Sequence, residues 1–312
     1  MRRRAFSAVS SGTETGSWIK ISVKTSPEAS DAISNLLFEL GAGGVEVKEV
    51  GSSSTLIAFY PPDDLVGERL LKIRTFFKKL RQCGLDPSPA KIELDEIEDE
   101  NWIESWRSVF NPIRIGRRMV VSPTWHQPEL ERDDILIWLD PGMAFGTGQH
   151  PTTRLTLILM EKSVSEGMEV LDVGTGSGIL SIAAVKLGAK RVTAIDIEPS
   201  VIPVANKNAS LNDVQDRITF IAGDISEIPP EPKYDLVACN ILTRVNILLL
   251  PDLRERLKPG GVVLFSGVLI GEGDEMEHAC RKEGYEVLER IEEEMWLALK
   301  CKVKSRRGER GF

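Results

Sequence analysis

The chain has 312 residues, a hydrophobic share of 42%, a charged share of 28% and a formal net charge of -8. This length exceeds the usual size of one hydrophobic core, so two domains are expected, and the composition is that of a globular protein in water. No apolar run reaches the roughly 18 residues that cross a bilayer, and an acidic chain is poorly suited to grip phosphate backbones. Membrane and direct nucleic-acid partners are therefore not expected, whereas a cationic protein is.

The first residues, "MRRRAFSAVSSGTETGS", are rich in Arg and Ser and have no apolar core of a secretory signal. Residues 1–17 read as a leader outside the fold. A cytoplasmic location is expected, and the leader lends organellar import only weak support. From 18 to 96 the periodicities run in a set order. "WIKISVKT" alternates as a strand, "PEASDAISNLLFELGAGG" has helical spacing closed by glycines, and "GVEVKEV" and "STLIAFY" are strands. "LVGERLLKIRTFFKKLRQCG" is a second amphipathic helix and "AKIELDEI" a last strand. The βαββαβ order is that of a small α+β ferredoxin-like domain. It contains no convergent set of titratable residues, so its expected task is binding.

Residues 97–111 read as a linker helix in which Trp102 and Trp106, four apart, share one face as a docking seam. The acidic run Glu93 to Glu104 reads as a solvated face. From 112 to 301 the pattern changes. "EVLDVGTGSG", "RVTAIDI", "RITFIAGD", "YDLVACNIL" and "VVLFSGVL" are strands. They alternate with the helices "ILSIAAVKLGA", "PSVIPVANKNASLN" and "VNILLLPDLRERLKPGG". Continuous Val/Ile/Leu strands in this alternation predict a Rossmann-like doubly wound α/β domain with a parallel sheet covered on both faces. Residues 302–312 read as a basic, solvated tail.

In such sheets ligands sit beyond the carboxyl ends of the strands, and the candidate residues fall there. The turn "DVGTGSG" carries Asp172, Gly174, Gly176 and Gly178. Its last glycine comes one place early for a nicotinamide fingerprint, which points to a nucleoside ligand without pyrophosphate. Asp196, at the end of the next strand, has the spacing of a carboxylate that accepts from both ribose hydroxyls; its competing role is a helix cap before Pro199. Asp224, at the end of a third strand, can accept from an adenine amino group. Cys83, Cys239, Cys280 and Cys301 have no paired spacing, and His126, His150 and His278 do not cluster with them, so neither a disulfide framework nor a metal site is expected.

The loop "LDPGMAFGTGQHPTT" concentrates three glycines, Phe145, His150, Thr152 and Thr153 between a strand and the helical "RLTLILM". Glycine is entropically costly, so the cluster points to unusual turns or close approach to a ligand. This loop, with "WIESWRSVFNPIRIGRRMVVSPTW", "VLDVGTGSGILSIAAVKLGA", "ACNIL", "LKPGG", "SGVL" and "EEEMWLALK", resembles the ribosomal protein eleven methyltransferase family, PrmA type, within the class I S-adenosylmethionine-dependent methyltransferases. The resemblance spans about residues 18 to 301. It implies a ferredoxin-like domain that recognises the ribosomal protein, a linker helix, and a domain that methylates lysine and N-terminal amines with S-adenosylmethionine as cofactor. It further implies cofactor contacts from Thr153, Gly174, Asp196 and Asn240. The departures are modest: "GTGSG" replaces a commoner Gly-Cys-Gly-Ser-Gly, and Gln149 stands where the family often has Thr.

With that ligand, Gly176 joins the turn, Phe145 lines an aromatic site under a closing loop, and the Thr152–Thr153 helix start can hold the methionine carboxylate. Asn240 is the expected catalytic residue, accepting from the incoming amine through its side-chain carbonyl. His150 is expected to order the loop rather than act as general base. A monomer is expected. The alternatives are a class I methyltransferase acting on another protein or a small-molecule amine, and a binding module that keeps the nucleoside pocket without catalysis.

Overall fold

The computed structural model describes residues 17–42, 45–50, 53–60, 65–82, 84–98, 110–140, 146, 148–229, 231 and 233–304. The leader before Ser17, the linker helix with Trp102 and Trp106, and the tail from Ser305 lie outside them. The chain divides into two compact units, Met1–Val109 and Phe110–Phe312.

The first unit contains β1 (Ser17–Thr25), α1 (Pro27–Glu39), β2 (Val45–Val50), β3 (Ser53–Tyr60), α2 (Val66–Gln82) and β4 (Lys91–Glu98). The strands form an antiparallel sheet in the order β2-β3-β1-β4, the split βαβ pattern. Period-2 alternation directs Ile21, Val23, Leu56, Ala58 and Tyr60 into one core with Ile33 and Leu37 of α1 and Ile73, Phe77 and Leu80 of α2. The Tyr60 hydroxyl donates to Leu37 O at 3.1 Å, so the one polar atom of that buried ring is satisfied.

The second unit opens with β5 (Ile113–Ile115), β6 (Met119–Ser122) and β7 (Ile135–Trp138), a small sheet in which β7 is the strand expected before the glycine loop, while β5 and β6, three and four residues long, were not read from the sequence. Then come α3 (Pro151–Ser163), β8 (Glu169–Val173), α4 (Ile179–Lys186), β9 (Arg191–Asp196), α5 (Val201–Leu211), β10 (Ile218–Ala222), β11 (Tyr234–Asn240), α6 (Thr243–Arg256), β12 (Leu257–Leu269), α7 (Gly273–Lys282), β13 (Tyr285–Glu293) and β14 (Trp296–Val303). Seven strands form one sheet in the order β10-β9-β8-β11-β12-β14-β13; the first five are parallel, and β14 runs antiparallel to both its neighbours.

Adjacent strand residues serve opposite faces. Val170, Leu236, Leu264 and Ala298 pack with α3, α4 and α5, while Leu171, Val237, Val263 and Leu299 pack with α6 and α7. A sheet buried on both faces requires strands that are apolar at every position, which explains their continuous hydrophobic runs. The doubly wound expectation therefore holds, with three local differences. The helix read through "LKPGG" stops at Arg256: Leu257 already opposes Tyr234 and Val262 opposes Leu236, so Lys258 to Gly261 bulge from the sheet. Helix α7 and strand β13 were not read from the sequence. The last strand runs to Val303 and Lys304 N donates to Gly284 O at 3.0 Å, so the basic tail begins later than residue 302.

Candidate active site

β8 ends at Val173 and the chain turns at Gly174, whose φ is +76°. A Cβ there would lie 2.4 Å from Ile241 Cγ2, so only glycine lets this turn pass beneath the end of β11. Gly174 N and Thr175 N donate to Ile195 O at 2.8 and 3.1 Å, and Gly176 N donates to Asp196 Oδ2 at 2.9 Å. Asp196 Oδ1 accepts from Glu198 N at 3.0 Å, whereas Ser200, which precedes α5, makes no side-chain cap bond. Asp196 thus holds the glycine turn and does not cap the helix. Each carboxylate oxygen can accept two hydrogen bonds and here accepts one, which leaves capacity for a ligand.

Below the turn, Asp172 is buried and its Oδ2 accepts from Ser181 Oγ at 2.6 Å and Thr175 Oγ1 at 2.8 Å. Its Oδ1 has no partner among the described residues. Burial pushes this carboxyl up to about 6, against the two hydroxyl bonds that favour the charged form.

A cavity of about 420 Å³ opens beside the turn, and Gly174, Gly176, Asp196, Asp224 and Asn240 all line it. Its apolar walls come from Ile197, Val201, Ile241, Val245 and Leu249. Ile197 is 79% exposed, which is unusual for a large aliphatic side chain and gives the cavity a flat apolar rim. Asp224 is exposed; the hydroxyl and N–H of Ser226 hold its carboxyl below the usual range, with Ser226 N 2.7 Å from Oδ1. Nothing in the sequence marks Val245 and Leu249, because they read as ordinary core positions of α6.

The glycine loop is pinned at both ends. Gly146, at φ +98°, accepts from Ser177 Oγ at 2.6 Å, and a Cβ on it would crowd that hydroxyl at 3.0 Å. Where the chain enters the loop, Asn212 Oδ1 accepts from Trp138 N at 2.9 Å, Asn212 Nδ2 donates to Trp138 O at 2.6 Å, and Asn208 Oδ1 accepts from Asp140 N at 3.0 Å. Asn208 of α5 and Asn212, which follows its last residue, are buried positioning residues that sequence periodicity hides inside "NKNASLN". Where the chain leaves the loop, His150 is the N-cap of α3: its Nδ1 accepts from Thr152 N at 3.3 Å and lies 2.8 Å from Thr152 Oγ1. Burial, reinforced by Arg154, pulls its pKa down to about 4. A neutral, capping imidazole orders the loop; its Nδ1 is already engaged at the helix start.

Thr153 is buried in the first turn of α3, and Asn240 Nδ2 donates to its hydroxyl at 3.5 Å. Asn240 Oδ1 is buried with no partner among the described residues. An orphaned amide oxygen at a cavity wall is costly to fold and is explained when a ligand donor completes it. Six of the sequence-derived site residues, Gly174, Gly176, Asp196, Asp224, Asn240 and Thr153, therefore belong to one cavity and its immediate border. Phe145 lies outside the described residues. Among the described residues no cluster of His, Cys, Asp or Glu could hold a metal ion, and no helix is long and apolar enough to cross a membrane.

Residues 17–304 match the family model described as ribosomal protein L11 methyltransferase (PrmA). The chain is 35% identical over 309 residues to the ribosomal protein L11 methyltransferase of Anoxybacillus flavithermus, covering 91% of this chain and 99% of that protein. It is 36% identical to that of Levilactobacillus brevis, covering 86% and 92%. The crystal structure of ribosomal protein L11 methylase from Lactobacillus delbrueckii subsp. bulgaricus superposes with a TM-score of 0.59 at 34% identity, covering 63% of this chain and all of that one.

Proposed function

The chain belongs to the ribosomal protein L11 methyltransferase family, and from that premise we propose that it transfers methyl groups from S-adenosylmethionine to lysine side chains and the N-terminal amine of L11. The orphaned Oδ1 of Asn240 carries this reading: a buried acceptor without a donor, beside a nucleoside-sized cavity, fits an incoming amine N–H. When bound, the cofactor supplies an electrophilic methyl group on a cationic sulfonium. Asp196 accepts from its ribose hydroxyls, Asp224 from its adenine amino group, and Ile197 covers the base. Gly174 and Gly176 let the backbone approach, and Thr153 with the start of α3 binds the methionine carboxylate.

The acceptor must arrive neutral. With an ordinary pKa near 10.4, a lysine at pH 7.5 is about 0.1% neutral, a cost of roughly 4 kcal/mol, whereas an N-terminal amine near 7.7–8.0 faces a fraction of that. Asn240 accepts from the neutral amine and orients its lone pair, without the negative charge that would favour the ammonium form. No general base is assigned to His150. The first unit binds L11, the protein acts as a monomer without direct nucleic-acid contact, and the cytoplasm is the proposed compartment.

Two measurements test this reading. Calorimetry with S-adenosylmethionine should give binding that Asp196→Ala weakens by about 1.5–3 kcal/mol, through the loss of charge-assisted hydrogen bonds. Labelled methyl transfer to L11, other basic proteins and small amines should favour L11. Equal labelling across the panel would support the broader alternative, and tight cofactor binding without any transfer would support a binding module.

A further inference from the structure

A polar network joins the glycine loop to the far edge of the sheet, and no step described so far uses it. Arg154 stands in the first turn of α3 with its side chain 18% exposed. Its Nε donates to Glu293 Oε1 at 2.9 Å, and its Nη2 lies 2.7 Å from that oxygen and 3.4 Å from Glu294 Oε1. Its Nη1 donates to the carbonyl of Gln149. One planar guanidinium thus satisfies oxygens on two separate elements, which the single ammonium of a lysine cannot do in the same geometry.

Each element it joins is itself anchored. Glu294, at φ +55°, begins the turn between β13 and β14, and Met295 O in that turn accepts from Ile270 N at 2.9 Å, just past the end of β12. On the other side, Gln149 immediately precedes His150, whose ring meets Trp296 of β14 edge-on with centroids 5.1 Å apart. The backbone that Arg154 grips therefore leads directly into the cap of α3, and α3 carries Thr153 to Asn240.

We propose that Arg154 is a positioning residue for methyl transfer: by locking Gln149 to Glu293 and Glu294 it fixes the start of α3, and with it Thr153 and Asn240, in the arrangement that the acceptor amine requires. This inference rests on the methyl-transfer reading. An in-line displacement is sensitive to small misplacements, so a residue that acts only through Thr153 and Asn240 shows its effect on turnover. The hydrogen bonds of Asp196 and Asp224 go to Gly176, Glu198 and Ser226, outside this network; only the Thr153 contact with the cofactor is shared with it, so the rate at saturating cofactor is the main readout.

The test is made on the full chain with Arg154→Met, Arg154→Lys and the double variant Glu293→Gln/Glu294→Gln. Single-turnover rates are measured at saturating S-adenosylmethionine and L11 and normalised to the concentration of cofactor-binding sites. Arg154→Met should lower the normalised rate at least tenfold, a larger factor than the one by which it weakens cofactor binding. Arg154→Lys should recover part of that loss. The double glutamine variant, which keeps α3 and frees the guanidinium from the turn, should lose about fivefold and keeps the question open to refutation if Arg154→Met does not fold. A normalised rate within twofold of wild type in Arg154→Met or in the double variant overturns the proposal. Wild-type protein that binds cofactor but transfers no methyl group would instead refute the methyl-transfer reading, and this inference with it.

Discussion

Asp172 and His150 are buried titratable residues whose shifts act in opposite directions on stability. The Asp172 carboxyl rises from 3.8 to about 6, so between those values the folded state binds more protons than the unfolded chain, and stability falls as pH rises through the window. His150 falls from 6.5 to about 4, so its contribution is complete above pH 6.5 and is lost as pH falls towards 4. Each shift corresponds to about 3 kcal/mol, and from pH 4 to 6 the two oppose one another. Asp172→Asn removes one of them. Its unfolding free energy relative to wild type should therefore rise by about 3 kcal/mol between pH 4 and pH 7, measured by urea denaturation; a difference independent of pH would show that Asp172 ionises normally in the fold. Asn240 invites a kinetic test. Asn240→Ala should lower turnover more than cofactor affinity, because alignment matters most in the transition state. Asn240→Asp should lose activity at neutral pH and regain part of it as pH rises to 10, since a carboxylate there stabilises the ammonium form and raises the acceptor pKa. Wild-type-like single-turnover rates in both variants would remove Asn240 from the chemistry.

At the scale of elements, what could be read from the sequence was whatever is encoded locally. The turn around Gly174 and Gly176, the strand-end carboxylates Asp196 and Asp224, and the alternation of buried strands and helices are all contiguous patterns. Contacts between distant segments left no such trace. Arg154 meets Glu293 and Glu294 about 140 positions away in the chain, and Val245 and Leu249 become cavity wall only when α6 packs beside β11. Strand β13 was missed because "YEVLERIEE" lies at the sheet edge, where half-buried charged residues blur the apolar signal. Asn208 of α5 and Asn212 at its C-terminal cap were hidden for another reason: polar residues in and just after a helix read as solvent-facing, yet Asn212 spends its amide on both backbone groups of Trp138. Asn212→Ala should leave that partly buried N–H and C=O without partners and destabilise the protein by about 1–3 kcal/mol. Hydrogen exchange at Trp138 and Asp140 should accelerate more than exchange in β8; uniform protection would mean that the loop entrance is held by other contacts.

For the whole molecule, each unit has a core of its own, one of a sheet backed by two helices and one of a sheet covered on both faces. The cavity lined by Gly174, Asp196 and Asn240 lies in the second unit, and recognition of L11 is the task proposed for the first. The acidic balance of the chain, formally -8, favours approach of a cationic substrate, while the cavity must still receive a neutral amine. In the proposed reaction, recognition through charge and attack through a neutral lone pair are compatible because the reacting amine gives its proton to water before it enters the site beside the sulfonium, while the other cationic groups of the substrate keep theirs. The central claim is that this chain methylates amines of L11. Unmodified L11 incubated with the full-length protein and S-adenosylmethionine should gain mass in whole methyl increments by intact-protein mass spectrometry, and fragmentation should place them on lysine side chains and the N-terminal amine. L11 of unchanged mass after prolonged incubation with cofactor-saturated protein would contradict the account.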